Sequence, residues 1–306
     1  MPNNNKSSIV FFGTGQTSLD ALQCLYEKYY IELVVTKPPA TNSAGKLFKN
    51  SVHVWAQDAG IKVLNPKDKA SLGLMLKEET IKSQLGVVLD FGTIIPPEVI
   101  DIFPLGILNS HFSLLPKYRG SNPIRTSILN GDDTSGVTII RITPGLDDGP
   151  ILTWSEINIA GLNATTLRDD LSKINCALLP ETVGMYLNNE LELISQDESA
   201  TTHTHKTTKE DGRIDTSKQP KQLAREILAY AGWPKSYVSI DGKDIIILEA
   251  NPSELTPPRG ELRIEDKKLY LGCANGSLEI IKIQPAGKPA LSALDFINGY
   301  QNIIGK

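Results

Sequence analysis

The sequence predicts an α/β protein: a Rossmann-like domain on a mainly parallel sheet, followed by a small OB-like β-barrel domain. Three observations predict it. Short runs rich in Val, Ile and Leu, at 8–12, 31–35, 85–89 and 106–111, alternate with helical apolar patterns, as βαβ units require. A polar stretch at 195–209, dominated by Thr, His, Lys and acids, then interrupts the pattern. Beyond it, five short strand patterns follow in quick succession, which is the signature of a small barrel.

The elements follow in order. Ser8–Phe12 is a buried strand that runs into Gly13-Thr-Gly15. Ser18 is expected to cap a helix carrying Leu19, Leu22 and Leu25 on one face. A dinucleotide fingerprint needs a third glycine at position 18, so Gly13 and Gly15 are read as turn formers. A second strand covers 31–35, a polar loop 37–46, a helix 51–59 and a short strand 62–64. A helix is expected over 69–82, a buried strand over 85–89, and a helix over 97–102. Asn122 and Pro123 start a helix that Gly131 closes. Gly136–Thr143 and Ile151–Trp154 read as strands. Thr166 is expected to cap a long helix reaching Leu187, kinked at Pro180, with Leu167, Leu171, Ile174 and Leu178 buried. After the polar stretch come one helix, 220–231, and strands at 236–240, 245–250, 260–264, 268–273 and 277–284, with Asp241-Gly242 as a hairpin turn.

A length of 306 residues gives room for two domains, and 40% hydrophobic with 22% charged residues is ordinary for a globular chain. No apolar run reaches the ~18 residues of a membrane span, and the polar opening octet lacks the apolar stretch of a signal peptide. Cys24, Cys176 and Cys273 match no zinc or redox spacing, so the cytoplasm is the expected compartment and no metal is expected. The net charge of -4 does not announce a nucleic-acid binder, yet about +2 of charge lies from Lys206 onward against about -6 before it.

The chemistry concentrates in 107–149. Alternation along a strand puts Asn109 and His111 on one face, where Pro116 and Gly120 break the strand into a loop. In open α/β sheets that is where ligands bind. Glycines around Asp147-Asp148 permit a tight loop that can approach a ligand closely. An amide that donates, an imidazole that donates and exchanges protons, and a carboxylate that orients the imidazole, stabilises its charged form or relays a proton through water suit acyl transfer through an oxyanion. His203 and His205 are too few for a metal site.

Asn109-Ser-His111, Ser113-Leu-Leu-Pro116, Arg119-Gly120 and Gly145-Leu-Asp-Asp-Gly149 resemble the signature of the folate-dependent formyltransferases. Gly232-Trp-Pro234 and Gln284–Lys288 resemble the carboxy-terminal domain of the members that act on tRNA. The resemblance implies Asn109, His111 and Asp147 as catalytic residues. It implies Ser113, Leu114, Leu115, Pro116, Phe91, Gly92 and Ile94 as the folate pocket. It implies 10-formyltetrahydrofolate as co-substrate, the amine of methionine on the initiator tRNA as acceptor, and a monomer. The 37–46 loop resembles an insertion that contacts the tRNA acceptor end, although only Lys37, Lys46 and Lys49 are basic there. Asp90 stands where the family more often has a small or aliphatic residue, and Phe112 where it has a small residue or proline. Arg119 reads equally as an anion contact or a loop brace. The expected domains are 1–190, catalytic and folate-binding, and 209–306, a tRNA-contacting barrel, joined by a linker at 191–208. The competing readings are a formyl-folate hydrolase, an amino-sugar formyltransferase and a non-catalytic RNA-binding homologue.

Overall fold

A computed structural model describes residues 6–41, 47–48, 50–240 and 242–300. The chain forms two compact units. The first comprises Met1–Gly120, Ser135–Ile157 and Arg168–His203; the second comprises Ser121–Thr134, Asn158–Leu167 and Thr204–Lys306.

The first part of the chain carries β1 (Ser8–Gly13), α1 (Gln16–Lys28), β2 (Tyr30–Val35), β3 (Ala40–Thr41), β4 (Leu47–Phe48), α2 (Ser51–Asp58) and β5 (Val63–Leu64). It continues through α3 (Lys69–Lys77), β6 (Leu85–Leu89), α4 (Pro97–Ile100), β7 (Ile107–His111), α5 (Pro123–Asn130), β8 (Thr134–Arg141), β9 (Ile151–Asn158) and α6 (Ala164–Leu187). Seven strands form one sheet in the order β5-β2-β1-β6-β7-β8-β9. The first five are parallel, and β8 runs antiparallel to β7. β1 lies between β2 and β6, and Ile9, Val10, Phe11 and Phe12 are all fully buried. A strand covered on both faces has no polar side to alternate with, which is why it reads as an unbroken apolar run. The Phe12 ring meets Phe91 and Phe103 edge-on at 5.8 and 6.0 Å.

Several helix ends differ from expectation, each for a local reason. Gly15, not Ser18, is the N-cap of α1. Ser18 is buried, donates to the Leu89 carbonyl at 2.6 Å and accepts from the Thr14 N–H at 3.0 Å, so it ties α1 to β6. α3 stops at Lys77, and the Lys82 and Ser83 N–H groups beyond it donate to the Glu32 carboxylate at 2.9 and 2.7 Å. Those bonds hold the chain out of the helix it was expected to continue. Asn163, not Thr166, caps α6, since its side chain accepts from the Thr165 and Thr166 N–H groups at 3.0 Å. Pro180 lies inside α6, which runs on to Leu187. The buried stripe of α6 is Leu171, Asn175, Leu179 and Val183, while Ile174 and Leu178 are half-buried. Asn175 can take a core position because its side-chain oxygen accepts from the Ser110 hydroxyl of β7. A disulfide joins Cys24 of α1 to Cys176 of α6; Cys273 is a buried free thiol, pushed up to about 11 by burial. Within the expected polar loop, β3 pairs with β4, and Lys46 and Lys49 lie outside the described residues.

The second unit holds α5, α7 (Pro220–Ala229), β10 (Ser236–Ile240), β11 (Lys243–Ser253), β12 (Leu262–Glu265), β13 (Lys268–Cys273), β14 (Gly276–Pro285), β15 (Leu291–Ser292) and α8 (Ala293–Gly299). Its strands form an antiparallel sheet in the order β10-β11-β14-β13-β12, with β15 on β14. Leu223 and Ile227 of α7 pack with Ile247, Leu262, Leu271, Leu278 and Ile283 in one core. The five expected strands are present; the additions are β15 and α8. Ser292 caps α8, and Phe296 of that helix is fully buried. Gly242 takes φ +73° in the β10–β11 hairpin, while Asp241 lies outside the described residues. Among the described residues no helix is long and apolar enough to cross a membrane.

Candidate active site

The site grows out of β7. Ile107 is buried in a core shared with Val10, Phe12 and Val88. Two residues on, the same strand face carries Asn109, in register with Val88 of β6, and two further on it carries His111. Ser110 faces the other way, to Asn175. One face of one strand thus changes from core to polar site within five residues.

Asp147 closes over that face. Its Oδ1 accepts from the Asn109 side-chain amide at 3.1 Å, and its Oδ2 accepts from the Gly120 N–H at 2.9 Å. His111 Nδ1 lies 3.5 Å from the same Oδ2, longer than a hydrogen bond. His111 Nε2 is 2.9 Å from the Tyr118 carbonyl. A carbonyl only accepts, so Nε2 carries the hydrogen, and Nδ1 carries one only in the imidazolium form. The expectation that His111 aims a donor at the oxyanion is therefore not met in this arrangement, because both ring nitrogens already face protein groups. The donor left over is the second N–H of the Asn109 amide. The three side chains expected to converge do so, through Asp147.

The loop bearing Asp147 is tightly specified. Asp147 has φ +50°, a conformation that Asp tolerates better than most residues. A Cβ on Gly149 would lie 1.9 Å from the Arg141 carbonyl oxygen, so only glycine fits there. Asp148, the alternative acid, turns away to the Thr143 hydroxyl. Gln196 then clamps the loop, donating to the Asp147 and Gly149 carbonyls at 2.8 and 2.7 Å. Its Oε1 accepts from Arg119 Nε and Nη2, and the same guanidinium forks onto Glu198 at 2.8 and 3.1 Å. Arg119 is buried and beside Glu198 holds that carboxyl below its usual range. Arg119 is thus a loop brace. The 194–203 stretch was expected to belong to a solvated linker, but it is stitched to the site: Ile194 pairs with Ile151, and the Thr202 hydroxyl accepts from the Tyr118 N–H at 2.9 Å. Its polar composition misled because backbone and amide groups, not apolar side chains, make these contacts.

The expected folate-pocket residues divide by what they can offer. The Phe91 and Leu115 side chains are buried in the core, and the Ser113 hydroxyl donates to the Lys117 carbonyl at 2.6 Å. Those three are left with backbone groups to present. Thr138 of β8, opposite His111 in register, fixes the 113–116 turn by donating to the Ser113 carbonyl and accepting from the Leu115 N–H. Leu114 and Pro116 are half-buried, Ile94 is 73% exposed, and Gly92 takes φ +67° with Lys37 Nζ above it. Phe112 is buried. Gln196, Thr138, Tyr118 and the Gly120 N–H were not foreseen, since each acts through a contact that no local motif marks. Among the described residues no three His, Cys, Asp or Glu side chains are grouped to hold a metal.

Residues 7–183 match the family described as Formyl transferase, and residues 206–301 match Formyl transferase, C-terminal domain. The chain belongs to the formyl transferase family. More particularly, it is 32% identical to a methionyl-tRNA formyltransferase of Geobacter metallireducens, covering 95% of both chains. It is 34% identical to one of Dehalococcoides mccartyi, covering 98% of both. Among solved structures, WlaRD, a sugar 3N-formyl transferase in the presence of dTDP and 5-N-formyl-THF, shares the fold at TM-score 0.67 and 20% identity, over 93% of this chain and all of that one.

Proposed function

We propose that this chain transfers the formyl group of 10-formyltetrahydrofolate to the amino group of methionine charged on the initiator tRNA, for translation initiation. The observation that carries the reading is Asn109, held on Asp147 by one N–H with the other left for a substrate oxygen. The near full-length likeness to methionyl-tRNA formyltransferases selects the acceptor.

The amine nitrogen attacks the formyl carbon, and the carbonyl pair moves onto oxygen. The second Asn109 N–H donates to that oxyanion. Collapse breaks the bond to the folate nitrogen, which takes a proton, and the new amide keeps one hydrogen. Asp147 holds Asn109 and the Gly120 turn in place, and an imidazolium at His111 would close the 3.5 Å gap to it. Leu114, Pro116, Gly92, Ile94 and the backbone of Phe91, Ser113 and Leu115 bind the folate. The first unit, which includes the 194–203 stretch bracing the Asp147 loop, is the catalytic, folate-binding one, and the second is the tRNA-contacting one. The enzyme acts as a monomer in the cytoplasm. Disulfides are rare in a reducing compartment, so alkylation of Cys24 and Cys176 in freshly lysed cells checks that placement.

The deciding assay mixes formyl-folate with charged initiator tRNA and scores formylmethionine, with a free amino sugar and water as control acceptors. Transfer to the tRNA alone is expected. Turnover with water or sugar and none with tRNA would overturn the proposal in favour of a hydrolase or a sugar enzyme.

A further inference from the structure

A second carboxylate stands at the end of the strand beside Asn109 and His111, and the chemistry above leaves it unused. Asp90 is the first residue past β6. Val88 is in register with Asn109 on one side and Leu89 with Gly13 on the other, so Asp90 stands between the Asn109–His111 strand and the Gly13–Gly15 turn. Its φ of +46° turns the chain out of the strand there. The Thr14 N–H donates to its backbone carbonyl at 3.2 Å, and a Cβ on Gly15 would lie 3.5 Å from its Oδ2. The carboxylate therefore lies over bare glycine backbone.

Two further features set it apart from Asp147. Among the described residues no hydrogen bond or ion pair reaches the Asp90 carboxylate, whereas both oxygens of Asp147 are engaged. Asp90 is solvent-exposed, yet the protein atoms around it push its carboxyl above the usual range, with Lys37 only partly opposing. Among the described residues the charged group that bears on it is Lys37 after β2, and the first turn of α1 carries no acid.

The chemistry needs such a group. The acceptor arrives largely as an ammonium, which cannot attack. Of its three protons, one stays on the product amide, one goes to the folate nitrogen, and one must leave. Asp147, with both oxygens already accepting, is poorly placed to take it. We infer that Asp90 seats the acceptor amine, its carboxylate pairing with the incoming ammonium and taking the proton whose loss frees the nitrogen lone pair. The protonated carboxyl then returns that proton to water. A carboxyl raised by its surroundings is the better base for this. The inference rests on the proposed formyl transfer to an amine.

The test compares wild type with Asp90→Asn across pH, using charged tRNA and formyl-folate. The variant is expected to lose about 100-fold in kcat below the acceptor amine's own pKa. The loss should shrink as pH rises past about 8, where the α-amine is already neutral. Formyl-folate affinity and Tm should not move, and Asp90→Glu should recover part of the rate. A loss equal at every pH, or no loss, overturns the inference. Wild type is scored first: if it formylates a different amine, the tRNA reading falls and the same pH comparison is run with that amine. If it formylates no amine, both fall.

Discussion

Replacing Asp147 with Asn isolates what its charge does. The substitution keeps the shape, and Asn accepts the φ of +50° at this position as readily as Asp. The wild-type carboxylate accepts from two donors, the Asn109 amide and the Gly120 N–H, and faces His111 Nδ1. The variant amide has one oxygen. Whichever donor keeps it, the other meets an NH2 group, donor against donor. One charge-assisted hydrogen bond is lost, on the order of 1.5–3 kcal/mol. If that bond serves only to hold Asn109 for the transition state, kcat falls about 10- to 150-fold at one decade per ~1.4 kcal/mol. The KM for formyl-folate should change little, because the 113–116 turn is fixed separately by Thr138. Single-turnover formylation with urea melting of the same preparations measures both quantities. Unchanged kcat in a folded variant would refute the catalytic reading of the Asn109–Asp147 bond. A collapse of stability with kcat per folded molecule intact would make Asp147 a loop anchor only.

Three further outcomes follow from the contacts. Asn109→Ala removes both amide N–H groups and should lower kcat about 100- to 1,000-fold, as loss of an oxyanion donor does; an effect confined to KM would rule out the transition-state role. Gln196→Ala loses the clamp on the Asp147 and Gly149 carbonyls, about 1–3 kcal/mol for two bonds, and should cut kcat roughly 10-fold; full activity would mean the loop holds its shape unaided. Cys24→Ser opens a bridge between residues 152 apart in sequence and should cost about 2–5 kcal/mol in urea melting without reductant; an equal midpoint for wild type and variant would show that the bridge contributes nothing.

What could be read from sequence was what leaves a local trace. Apolar runs placed β1, β6 and β7, because burial on both faces demands them. Alternation put Asn109 and His111 on one face, and the glycines around Asp147 announced a tight loop. What could not be read was whatever depends on a partner far along the chain. Gln196 lies 49 residues from Asp147, and its stretch is as polar as any linker. Ser18 looked like a cap because capping is the usual local use of a serine, yet a carbonyl 71 residues away claims its hydroxyl. His111 escaped for a nearer reason: the backbone at Tyr118, 7 residues on, takes φ +63° and turns its carbonyl onto Nε2.

Two carboxylates, Asp147 on the Asn–His pair and Asp90 at the end of the neighbouring strand, raise the question of whether they share a proton. Donors converge on Asp147 and, among the described residues, none reaches Asp90, so the first should act by fixing geometry and the second by receiving a cation. Geometry and proton removal are separate contributions to one barrier, and separate contributions add as free energies. The double variant Asp90→Asn with Asp147→Asn should therefore show a kcat loss near the product of the two single losses. Groups that act as one unit behave otherwise: the second removal costs almost nothing once the first is gone. A double variant no worse than its weaker parent would mean that the proton leaving the amine passes through Asp147 as well, and the division of labour drawn from their hydrogen bonds would be wrong.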